Sequence, residues 1–74
     1  MIKISLSDTV YNCVSNYPQF KDVLIEAGFK KISNPSMLNT VGRVVTIEKG
    51  LKMRNISLSH LQEVAKNHGF NIEK

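Results

Sequence analysis

Apolar positions recur every three or four residues along most of this chain, which is the spacing of amphipathic helices. Val10, Cys13, Val14 and Tyr17 mark the first stripe, with Ser7 placed as its N-cap and Asp8 at the positive end of its dipole. This predicts a helix from Asp8 to Asn16, stopped at Pro18, whose ring disfavours helical geometry at the preceding residue. Proline also suits the first position of the next helix, where Phe20, Val23, Leu24 and Ala27 repeat the spacing. Gly28 is placed to close that helix in a left-handed conformation, so that Phe29 folds back onto its apolar side.

After a connector from Lys30 to Ser33, Asn34 and Pro35 read as a cap residue followed by a proline at the first helical position. A short third helix is expected from Pro35 to Val41, ended by Gly42, with Met37, Leu38 and Val41 as its apolar contacts. Val44 and Val45 then bridge to Thr46, the expected cap of a fourth helix from Ile47 to Arg54. Gly50 inside that helix costs about 1 kcal/mol against alanine, so a close helix approach is its natural explanation. Asn55 and Ile56 form a break, and Ser57 caps a fifth helix from Leu58 to His68, with Leu58, Leu61, Val64 and Ala65 inward and Gly69 closing it. Ile2-Lys3-Ile4 and Phe70-Asn71-Ile72 alternate instead, and together suit a two-stranded pairing of the chain's ends. The expected fold is therefore all-α, an array of about five short helices with a small terminal ribbon.

At 74 residues the chain has room for one domain, spanning 1–74, and buries about 60% of its unfolded surface. That leaves little volume for a deep substrate cavity, so binding is expected and enzymatic catalysis is not. One cysteine makes no intrachain disulfide, and with two histidines it falls short of the four ligands of a structural zinc. Cys13 sits on the apolar stripe, where an inert core thiol is the expected reading and a reactive or dimer-forming thiol the alternative. His60 and His68 are about 80° and ~12 Å apart on one helix, too far to share a metal. The carboxylates are scattered and the glycines isolated, so neither an acid–base pair nor a phosphate cradle is visible and no cofactor is expected. The longest apolar run, Val23-Leu24-Ile25, is three residues, against about 20 for a bilayer span, so no membrane association is expected and the cytoplasm is the default location.

Charge changes the picture only in the middle of the chain. Residues 30–54 carry Lys30, Lys31, Arg43, Lys49, Lys52 and Arg54 against Glu48 alone, within an overall net charge of +4. This is either a solvated helix surface or a phosphate-facing one, which makes nucleic acid the alternative partner class. The fourth and fifth helices, joined by a short break, have the outline of a helix-turn-helix. Their detail fits poorly, because the fifth helix begins Leu58-Ser59-His60-Leu61-Gln62-Glu63 and offers few long donors to bases.

The most specific string is Asn34-Pro35-Ser36-Met37-Leu38-Asn39-Thr40-Val41-Gly42-Arg43. Arg43 presents a planar fork of donors, suited either to an intramolecular latch or to a partner's carboxylate. Taken with the helix ending at Tyr17-Pro18, with Glu26-Ala27-Gly28-Phe29 and with Thr46-Ile47-Glu48-Lys49-Gly50, the chain resembles a small bacterial helical family known as DUF1858. The resemblance spans nearly the whole chain and implies a compact array of about five helices. It also implies kinship with domains that precede hemerythrin-like or sensor modules, and with the N-terminal part of di-iron proteins that repair iron–sulfur clusters. A related branch, associated with hybrid cluster proteins, carries a redox Cys-x-x-Cys just before the proline. Here those positions are Lys31 and Asn34, so dithiol exchange is not carried over. The expectation is a non-enzymatic module that contacts a protein partner through Lys31, Asn34, Asn39, Thr40 and Arg43.

Overall fold

The helices begin where a side-chain oxygen meets the free amides of a first turn. The computed structural model describes residues 1–73; residue 74, the last of the expected domain, lies outside them. The order is β1 (Ile2–Ser5), α1 (Val10–Asn16), α2 (Phe20–Ala27), a 3-10 turn (Lys30–Ser33), α3 (Pro35–Val44), α4 (Ile47–Arg54), α5 (Leu58–Asn67) and β2 (Phe70–Glu73). The expected all-α class with a small terminal sheet is what the structure shows.

Three of the expected caps are present. Asn34 Oδ1 accepts from the Ser36 amide at 2.9 Å, Thr46 Oγ1 from Lys49 at 3.1 Å, and Ser57 Oγ from His60 at 3.2 Å. The first cap is a correction: α1 starts at Val10, and Thr9 Oγ1, not Ser7, accepts from the Asn12 amide at 3.1 Å. Ser7 is instead bonded to Ser5, hydroxyl to hydroxyl at 2.8 Å. The reason is tertiary, because the backbone just before α1 is tied to the start of α4. The Val10 amide donates to the Val45 carbonyl, Ile47 to Asp8 and Glu48 to Leu6, at 3.0, 3.0 and 3.1 Å. A helix beginning at Asp8 would turn those carbonyls away from α4.

Three further boundaries move. Pro18 and Gln19 form a turn rather than the first residues of α2, which begins at Phe20. Gly42 does not end α3. It is buried inside that helix, and a Cβ built on it would lie 3.1 Å from Leu38 Cδ1 and 3.6 Å from the Tyr11 amide nitrogen. α1 packs closely there, so glycine serves contact rather than termination and the helix runs on to Val44. The fifth helix ends at Asn67, one residue before the expected His68, which caps it through its own amide.

Gly28 behaves as the sequence predicts. Its φ is +126°, and the Phe29 amide reaches back to the Leu24 carbonyl at 2.8 Å, a C-terminal motif that turns Phe29 into the core. Gly50 admits the ring that follows, since a Cβ on it would sit 2.7 Å from Phe29 Cε1.

The ends of the chain close the fold. β1 and β2 pair in parallel, with Ile2 opposite Phe70 and Ile4 opposite Ile72. Ile4, Phe70 and Ile72 are buried, and Phe70 stacks edge-on against Phe20 at 5.1 Å between ring centres. Lys3 and Glu73 face outward and lie 3.6 Å apart. One continuous apolar cluster, from Ile4 through Ile72, gathers side chains from every helix except α3, whose Leu38 packs on its margin.

Candidate functional site

That exception defines the site. Of the ten residues of α3, only Gly42 is buried. Leu38 and Gly42 face α1, while Val41 remains 42% and Val44 75% exposed. At about 100° per residue, Met37, Val41 and Val44 fall within a sector of roughly 60°, a stripe one and a half to two turns long. A helix normally turns such a stripe inward, so an apolar row left in solvent is the informative observation.

The five residues expected to form a contact surface are dispersed. Asn34 is engaged as the cap of α3. Thr40 Oγ1 donates to the Ser36 carbonyl of its own helix at 2.8 Å. Arg43 lies over the Tyr11 ring, 4.2 Å from its centre, and its Nη2 donates to the Tyr11 hydroxyl at 3.2 Å. That is a latch between α3 and α1, the intramolecular one of its two readings. Asn39 is exposed on the same side of α3 as Arg43, about 100° or more from the apolar stripe. Lys31 alone belongs with the stripe. It lines a shallow cleft together with Ile32, Met37, Val41, Val45 and Arg54.

Arg54, Met37 and Val44 were not among the expected contact residues. The signal for Val44 is present in the sequence, since Val41 and Val44 are three apart, but Gly42 looks locally like a helix end and hides Val44 from the pattern of α3. Arg54 carries no local signal, because only the tertiary fold brings it to the same cleft as Lys31. Among the described residues neither cation forms an ion pair; the pairs are Lys3–Glu73, Lys52–Glu48 and His68–Glu26.

The other chemistry-bearing groups are separate from this face. Cys13 is 1% exposed, and its thiol is pushed up to about 12 by burial first and by the neighbouring Asp8 carboxylate second. At neutral pH it is a protonated core thiol, not a nucleophile. His68 Nε2 lies 3.6 Å from Glu26 Oε2. Among the described residues no three of His, Cys, Asp or Glu converge as a metal site would require. A larger cleft of about 580 Å³ lies where α4 meets α5, with Leu51, Ile56 and Leu58 in its walls and the paired Glu48 and Lys52 at 3.5 Å on its rim. No helix among the described residues is long and apolar enough to cross a membrane.

Five short helices closed by a parallel ribbon, with no disulfide and a single buried thiol, define a small all-α domain without the redox pair of its dithiol-bearing kin. The chain belongs to the family described as "Domain of unknown function (DUF1858)", whose model matches residues 4–62. It is also similar to a crystal structure of a conserved domain protein from Streptococcus pneumoniae TIGR4, at 30% identity and a TM-score of 0.91. That alignment covers 99% of this chain and 92% of the other. No curated protein matches the sequence.

Proposed function

We propose that this domain is a non-enzymatic, cytoplasmic protein-binding module that engages its partner through the 3-10 turn and the exposed face of α3. The observation that carries this reading is Val44, an aliphatic residue 75% exposed on a helix whose neighbour Val41 is 42% exposed. Single exposed apolar residues need no explanation, but a row at helical spacing above a cleft has the makeup of an interface core. Lys31 from the expected set stays in the surface, joined by Met37, Val41, Val44 and Arg54. Asn34 and Arg43 support it from beside the stripe, by capping α3 and by tying it to α1. The resemblance to modules of hemerythrin-like, sensor and iron–sulfur repair proteins is in keeping with such an accessory role.

Photo-crosslinking in the native cell tests the proposal. A benzophenone side chain introduced at Val44 should give a discrete adduct with one protein, whereas the same group at Glu63 on α5 should not. Equal crosslinking at both positions, or none at Val44, would reject the surface. Nucleic acid is the second reading, favoured by the convergence of Lys31 and Arg54. It predicts binding to mixed-sequence duplex that weakens steeply with salt, and a low-salt gel shift without retardation removes it.

A further inference from the structure

We infer that the segment seated on this face is an amphipathic helix with acidic residues flanking its apolar row. The inference rests on the protein-binding reading above and adds the chemistry of the partner.

Shape comes first. The stripe Met37, Val41, Val44 lies along a helix whose mid-helix amides and carbonyls are bonded within it, so α3 offers no edge ladder of free backbone groups to an incoming strand. An extended peptide laid there would lose water from its own backbone without replacing those hydrogen bonds. A helix brings its backbone already paired and fits its side-chain ridge against the ridge of α3. Methionine-like or aliphatic anchors at i, i+3 or i+4, and i+7 match a stripe running from residue 37 to 44, about 10 Å. Met37 adds an unbranched side chain that adapts to an imperfect fit.

Charge comes second. Lys31 and Arg54 line the cleft beside Met37 and Val41, and no described carboxylate lies within ion-pairing distance of either. Lys30 and Lys49 belong to the same exposed basic stretch. A basic helix would place like charges against them, while an acidic one supplies the missing counter-charge and is steered toward it. A nucleic-acid backbone fits less well. Its phosphates would have to follow the row of half-buried Met37 and exposed Val41 and Val44, side chains that hold no donor to replace their water.

Selection from a display library of random peptides of about 16 residues, long enough for four helical turns, tests this against the whole chain. Enriched peptides should carry an excess of Asp and Glu around aliphatic residues spaced three or four apart. Their binding should fall about ten-fold or more, or 1.4 kcal/mol, on Val44→Asp, a change at an exposed position whose folding is checked by circular dichroism. The double variant Lys31→Glu/Arg54→Glu should then select basic peptides in place of acidic ones. Enriched peptides that are neutral or basic, yet still lost on Val44→Asp, would overturn the acidic partner while leaving the surface standing. Enriched peptides indifferent to Val44→Asp would overturn the surface itself. Duplex DNA that shifts the amide resonances of Val41 and Val44 while the acidic peptides do not would replace both with nucleic-acid binding.

Discussion

Cys13 shows how one buried atom sets a measurable property of the domain. Its thiolate would sit in the core with the Asp8 carboxylate as a neighbour, and both conditions disfavour charge, burial more strongly. The folded pKa of about 12 lies above the ordinary value of 9.0, so the folded state holds its proton where the unfolded chain has released it. The resulting stability is fully present below pH 9 and is lost as pH rises from there toward 12, with a slope of up to about 1.4 kcal/mol per pH unit. Urea titrations across that range should show a steeper alkaline decline for the native chain than for Cys13→Ala. A thiol reagent at pH 8 should label Cys13 only at the rate of global unfolding; prompt labelling of the folded protein would contradict its burial. Arg43 illustrates the opposite case, an exposed charge placed by an aromatic face, and its stacking on Tyr11 shows why a residue with five donors is not automatically a ligand site.

At the scale of single elements, the caps and the internal glycines decide where helices run. Thr9→Ala should destabilise the domain by about 1 kcal/mol, the usual value of a cap, whereas Ser7→Ala should change it by a few tenths at most. Chemical denaturation of the two variants distinguishes the observed start of α1 from the one its local sequence suggests. Gly50 sets two effects against each other. Alanine gains about 1 kcal/mol of helix propensity, but its Cβ would stand 2.7 Å from Phe29 Cε1, an atom of a buried ring. Forcing that ring aside costs roughly 1–3 kcal/mol, so Gly50→Ala should lower the melting temperature. A rise would mean that Phe29 does not pack against α4. Gly42 teaches the same lesson in structure: local propensity reads it as a stop, yet the contact with α1 makes it the middle of α3.

For the molecule as a whole, the decisive contacts join residues far apart in the chain. β1 and β2 bring its first and last elements into register, and Phe70 fills the space between that ribbon and Phe20. A second tie links Leu6, Asp8 and Val10 to residues 45–48. A domain this small has a stability near the lower end of the usual 5–15 kcal/mol, while truncating a buried phenylalanine costs about 3–5 kcal/mol. Phe70→Ala should therefore leave the chain largely unfolded or close to it at 37 °C. Ile2→Ala, at the exposed end of the same ribbon, should retain a cooperative transition shifted by much less. Circular dichroism melts of both variants test whether the ribbon is structural; equal, small shifts would make it ornamental.

The all-α class, the number of helices, three of the caps, the reversal at Gly28 and the partnership of the two terminal strands are written in the chain's local pattern. Each of these depends on spacing along the chain or on the conformational limits of one residue, and both are local. Tertiary structure decided the parallel sense of the ribbon, the delayed start of α1 and the passage of α3 through Gly42. It also decided the candidate surface. Asn34 and Thr40 are engaged locally, by the cap and by a carbonyl of their own helix, whereas Arg43 is taken up by the distant Tyr11 ring. Lys31 and Arg54, twenty-three positions apart, line one cleft with Met37 and Val41 only because the chain folds back on itself. Which polar groups stay free and which apolar ones stay uncovered depends on what lies across the gap, and periodicity along one segment carries no record of the surface opposite.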